Sequence, residues 1–216
     1  MKQFYPGARA PSTEINPFRC QGFVRGGTIA CRDGSRRAIH SLPAFLRALL
    51  VTDGTVTKIL EAYFWEPVIV DTLYQEFVAA EDEIPWVDIH PGDRALVRRV
   101  CLRGGDSGHE YAHADSVIRA ERVPNDFRQR LIDRKIGIGA LIRDSGLESY
   151  REVMEVGVNP GTAESDAAEQ PTGDSLFRTY RIIIDGEPVI LITETFPMAL
   201  FSAPLLSQTD PSSLQS

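Results

Sequence analysis

The 216-residue sequence predicts an α+β fold built from six strand-forming runs and several helices. Three observations predict it. Apolar residues recur at helical spacing in 41–63 and again after 123. Six β-branched and aromatic runs occupy 68–77, 95–103, 111–120, 150–157, 176–184 and 187–196. Turn-forming residues join the second run to the third and the fifth to the sixth, which makes hairpins.

Each element has a local reason. Ser41-Leu42-Pro43 supplies an N-cap hydroxyl and a first-turn proline, and Phe45, Leu46, Leu49 and Leu50 form the stripe of a first helix. Asp53-Gly54 breaks it, and Val56, Ile59 and Leu60 mark a second helix over 55–63. Phe64-Trp65 ahead of Pro67 reads as packing of this helical layer, and Trp86 after Pro85 as a loop or flap anchor. Gly104-Gly105-Asp106-Ser107-Gly108 is the loop of the first hairpin. Val123-Pro124-Asn125-Asp126 opens another helix, with Phe127, Leu131 and Ile132 at helical spacing and Gly137 and Gly139 punctuating its end.

Composition bounds the class. Hydrophobic residues make up 43% of the chain and no apolar run approaches the ~18 residues of a membrane span. The expectation is a soluble, cytoplasmic protein, monomeric or homodimeric. Three cysteines (Cys20, Cys31, Cys101) are too few for a disulfide framework, and free thiols are expected. His109 and His113 stand four apart beside a glycine-rich turn, and no metal site is expected from them. The net charge of −7 is unevenly spread, with +5 on residues 1–40 and −12 on the rest. Residues 1–40 read as a basic, Pro/Gly-rich arm that packs on an acidic body rather than on nucleic acid. A domain over 41–204 follows, with an acidic loop over 158–175 and a flexible tail over 205–216.

Two strands carry charges that their pattern does not welcome. Asp185-Gly186 favours a two-residue type I′ turn, which sets residues summing to 371 opposite each other, so that Glu194 faces Phe177 and Ile190 faces Arg181. Glu194 then alternates with Ile190, Ile192 and Phe196 on one face, where an unpaired carboxylate is costly. Arg181 falls on that face at a distance suited to bracketing a small polar ligand. Tyr180 falls on the other, under helices or at the surface. In 95–103, Arg98 alternates with Leu96, Val100 and Leu102, and Arg99 with Val97 and Cys101, so alternation alone does not say which arginine turns inward.

Four stretches together resemble the chorismate pyruvate-lyase family. They are Leu49-Leu50-Val51-Thr52-Asp53-Gly54-Thr55-Val56-Thr57-Lys58-Ile59-Leu60; Leu96-Val97-Arg98-Arg99-Val100; Ala114-Asp115-Ser116-Val117-Ile118 with Arg122-Val123-Pro124; and Arg178-Thr179-Tyr180-Arg181 through Gly186-Glu187-Pro188 to Ile192-Thr193-Glu194-Thr195-Phe196. The resemblance spans about 42–200. It implies a six-stranded antiparallel sheet with helices on one face acting as flaps over an enclosed ligand. It also implies elimination of pyruvate from chorismate to give 4-hydroxybenzoate, as in aromatic and quinone biosynthesis, with no cofactor and no metal.

By the same resemblance the inward arginine is Arg98, which grips substrate carboxylate, and Glu194 lines the pocket as its catalytic partner. Val56, where better-known members have methionine, and Ile138, through its backbone amide, contact substrate. Arg181 is the second candidate cation for a dianionic substrate. The same fold serves non-catalytic UTRA-type ligand-binding domains, so a small-molecule-binding module is the alternative, as is a lyase acting on a modified chorismate-type compound.

Overall fold

A computed structural model describes residues 27–52, 54–133, 137–161 and 173–202. The first 26 residues with Cys20, much of the acidic stretch and the tail lie outside them. Two short strands, β1 (Thr28–Ala30) and β2 (Arg36–Ala38), form a ribbon. Helices α1 (Ala44–Val51) and α2 (Val56–Phe64) lead into strands β3 (Val68–Ala79), β4 (Arg94–Gly104) and β5 (Glu110–Ile118). Helices α3 (Asn125–Ile132) and α4 (Ile138–Ser145) precede strands β6 (Ser149–Asn159), β7 (Ser175–Ile184) and β8 (Glu187–Pro197). The large sheet is antiparallel throughout, ordered β3-β4-β5-β8-β7-β6.

The four helices lie over one face because their apolar stripes find the inward residues of that face. Leu46, Leu49, Leu50 and Leu60 pack on Leu102, Leu176 and Phe196. Phe127, Leu131, Leu141 and Ile142 pack on Leu96, Ile118 and Ile190. Each such side chain contributes about 1.5–3 kcal/mol on burial. Part of the opposite face is covered by Ile84, Val87 and Ile89 against Val97, Val117 and Leu191. Among the described residues no helix is long and apolar enough to cross a membrane.

Residues 27–41 belong to this body. Ile29, Cys31 and Ile39 join the core beneath α1 and α2, Arg32 N donates to Val158 O on β6, and Arg37 pairs with Asp174 at 2.6 Å. Cys31 and Cys101 are free, buried thiols.

Local details correct the sequence reading. Ser41 does not cap α1: its hydroxyl donates to Ala38 O, and the helix begins at Ala44 behind Pro43. Phe64 stacks on Tyr111 at 3.8 Å, whereas Trp65 is 80% exposed, turned outward by its left-handed position at the end of α2. Gly137 is not a helix end but the N-cap of α4, a separate helix.

The largest correction concerns register. The Asp185-Gly186 turn has positive φ at both residues, 51° and 82°, as type I′ requires. Pairing sums to 371 only at Ile184↔Glu187 and Ile183↔Pro188; a bulge follows, and from Ile182↔Ile190 onward it sums to 372. Pro188 has no N–H to give the ladder, and Val189 is the extra residue. Glu194 therefore faces Arg178, not Phe177, and Arg181 faces Leu191.

Candidate active site

The register brings the inward residues of β4, β5, β8 and β7 together at the seam between the two helical cores. Arg98 on β4 opposes Ser116 on β5, which opposes Ile192 on β8, which opposes Tyr180 on β7. In the next row Val100, Ala114, Glu194 and Arg178 stand side by side. Arg98 and Glu194 thus share a face, two strands and one two-residue step apart, with backbones roughly 12 Å from each other. That spacing lets their side chains bracket a small ring.

Between them lies a cavity of about 70 Å³, where one water needs about 10–15 Å³. Its floor includes Val100, Ala114, Ile182 and Ile192, and its polar groups include Arg98, Ser116, Arg151, Tyr180 and Glu194. Its roof is the first turn of α2 with Thr55, Val56 and Thr57, and the first turn of α4 with Gly137, Ile138 and Gly139. The two helix tips meet closely: a Cβ on Gly139 would stand 3.1 Å from Thr55 Cγ2. No side chain caps either helix. Two sets of N-terminal N–H groups, each with the partial positive charge of a helix start, therefore border the cavity.

The electrostatics of the walls are specific. Arg98 is 1% exposed and its Nη2 donates to Thr72 Oγ1 at 3.0 Å. Its neighbour Arg99 points to the other face and pairs with Asp115 at 2.7 Å. Glu194 accepts from Arg178 Nε at Oε2 (2.8 Å) and from the Tyr180 hydroxyl at Oε1 (3.0 Å). Burial first, and the Glu194 carboxylate second, push the Tyr180 phenol well above its ordinary range, so it stays protonated as a donor.

Of the residues singled out from sequence, Arg98, Glu194, Val56 and Ile138 all line the cavity. Arg181 does not. It lies on the opposite face, paired with Glu152 at 2.7 Å and donating to Trp86 O at 3.2 Å, because the bulge at Val189 shifts the register. Tyr180, expected under helices or at the surface, is a cavity wall. Sequence reading also missed Arg178 and Arg151. Arg178 carried a usable signal, since it alternates with Leu176, Tyr180 and Ile182 just as Glu194 alternates with isoleucines. Away from the cavity, Cys101, Glu110 and His113 each bring one potential ligand atom within 4.8 Å of the others.

The chain thus combines a six-stranded antiparallel sheet roofed by helices with a buried arginine and glutamate bordering one cavity. The comparisons with known proteins supply the family. The family described as "Chorismate pyruvate-lyase Rv2949c-like" matches residues 50–203, and the chain belongs to that family. It is 31% identical over 171 residues to the chorismate pyruvate-lyase of Mycobacterium leprae, covering 77% of this chain and 80% of that one. It is 27% identical over 175 residues to the Mycobacterium tuberculosis protein of the same name, covering 77% and 86%. Among solved structures, PhnF from Mycobacterium smegmatis shares the fold with a TM-score of 0.51 at 14% identity, over 68% of this chain and 65% of that one.

Proposed function

We propose that the protein is a chorismate pyruvate-lyase of the cytoplasm, eliminating pyruvate from chorismate to leave 4-hydroxybenzoate. The observation that carries this reading is the placement of Arg98 and Glu194, both buried, on one face of the sheet with a roofed cavity between them.

The reaction breaks the C–H bond at the hydroxyl-bearing ring carbon and the C–O bond to the neighbouring enolpyruvyl group. The electron pair becomes the last double bond of the aromatic ring, and the enolpyruvyl fragment takes up a proton and leaves as pyruvate. The residues meet these needs without a nucleophile. Arg98 holds a carboxylate and stabilises charge on the departing oxygen, the kind of group suited to planar anions. Arg151, half-buried in the wall, replaces Arg181 as the second cation. The N-termini of α2 and α4, at Val56 and Ile138, offer backbone N–H groups to a second carboxylate. Glu194 accepts a hydrogen bond from the ring hydroxyl and stands where the proton leaves the adjacent carbon. Enclosure and orientation supply much of the rest.

Incubation of the purified protein with chorismate, without added metal or cofactor, is expected to yield 4-hydroxybenzoate and pyruvate in equal amounts. Thermal stabilisation by chorismate with no product would overturn the catalytic reading in favour of a binding module. Faster turnover of isochorismate or aminodeoxychorismate would reassign the substrate.

A further inference from the structure

Arg178 touches four groups at once. Its Nε donates to Glu194 Oε2, and its Nη1 donates to the backbone carbonyls of Leu49 and Thr52. Its guanidinium carbon lies 4.9 Å from the centre of the Tyr180 ring, and the residue is 1% exposed. Leu49 and Thr52 are the carbonyl end of α1, where a helix leaves acceptors unpaired and carries partial negative charge. Three residues beyond Thr52, Thr55 begins the turn of α2 that roofs the cavity.

We infer that Arg178 is a positioning residue for the elimination, fastening the Glu194 carboxylate in its working orientation to the α1–α2 corner of the roof. The inference rests on the role proposed for Glu194. A carboxylate at the end of a glutamate side chain rotates about its last bond. With Arg178 on one oxygen and Tyr180 on the other, both oxygens are pinned and their remaining lone pairs are fixed in direction. The guanidinium performs this because its rigid fork serves an anion on one edge and two neutral carbonyls on another, which a lysine ammonium cannot span. Displacing Leu49 and Thr52 takes both carbonyls from Nη1 and costs a buried charged donor two of its hydrogen bonds. The roof and the carboxylate are therefore placed together.

The test uses full-length R178A and R178K, with kcat and KM for chorismate measured per folded molecule. Arg98 and Arg151, the cations proposed to hold substrate, are unchanged, so KM is expected to stay within about threefold of wild type. The kcat of R178A is expected to fall about 10- to 100-fold, the effect of a misplaced reacting group. Guanidinium ion below denaturing concentration is expected to restore kcat saturably in R178A, and sodium or ammonium at equal ionic strength is not. R178K, which keeps the charge, is expected to lose about tenfold in kcat with KM retained. It decides the matter if R178A does not fold. Wild-type kcat in R178K, or equal rescue of R178A by any salt, would overturn the inference. E194Q separates the two readings: wild-type turnover there removes the role of Glu194 itself, whereas an inactive E194Q beside a fully active R178K removes only that of Arg178.

Discussion

The guanidinium of Arg178 and the carboxylate of Glu194 meet across β7 and β8 at 2.8 Å, with both side chains more than nine-tenths buried. A buried pair of this kind is fragile toward loss of one partner, because the other is left charged in a low-dielectric interior. Removing Glu194 alone, as in E194A, is expected to cost about 3–5 kcal/mol of stability. The double variant R178M/E194M is expected to recover only part of that loss while remaining inactive, because Leu49 O, Thr52 O and the Tyr180 hydroxyl each give up a hydrogen bond. Calorimetric unfolding alongside a product assay checks both halves.

Arg98 carries a different expectation. Its Nη2 donates to the neutral hydroxyl of Thr72, and its guanidinium borders the cavity. Arg98→Met is expected to cut turnover at least ~10²-fold while far-ultraviolet circular dichroism stays unchanged. Near-normal rates in this variant and in E194Q would remove the catalytic assignment.

Gly157 tests the packing of the β1–β2 ribbon against β6 and β7. A Cβ at this position would stand 2.6 Å from the Phe177 ring and 2.9 Å from the backbone oxygen of Ala30. The ring and the ribbon cannot both yield, so Gly157→Ala is expected to destabilise by about 1–3 kcal/mol. Urea titration monitored by fluorescence measures it.

The first hairpin loop gives the protein an acid-sensitive point. Glu66 accepts from the Tyr111 hydroxyl and from the backbone N–H groups of Asp106 and Ser107. These donors, the Tyr111 hydroxyl first, lower its carboxyl to about 2. A lowered folded-state value gives stability that is complete above the ordinary carboxylate value of 4.5 and is lost as pH falls towards about 2. Thermal unfolding between pH 6 and pH 2, at about one-unit steps, is expected to show a shallower acid loss in Glu66→Gln than in wild type.

Burial, followed by the charges of Glu110 and Asp71, pushes the Cys101 thiol up to about 11. Thiolate is the reactive form, so Cys101 is expected to resist alkylation at neutral pH in the folded protein and to react on unfolding. Mass spectrometry of iodoacetamide-treated samples reads the difference.

What the sequence disclosed followed the strength of each local signal. The six strands and α2 were legible because apolar alternation or a helical stripe persisted over whole elements. α4 was hidden by its two glycines, which resemble terminators. In the structure Gly137 is an ordinary extended N-cap at φ −73°, and Gly139 is small because Thr55 lies against it. Choosing Arg98 over Arg99 needed the family resemblance, since both alternate with apolar residues. Arg181 was misplaced because a single extra residue after Pro188 changes the partner of every residue beyond it, and nothing in a turn motif announces a bulge three residues downstream.

The β1–β2 ribbon has a practical consequence. The family match starts at residue 50, yet Ile29, Cys31 and Ile39 fill the same interior as Leu46 and Leu60. Excising the domain at the edge of the recognised span would hollow out the support of its own ceiling. The smallest fragment worth expressing begins upstream of Thr28, and residues 28–49 are masonry rather than trimming.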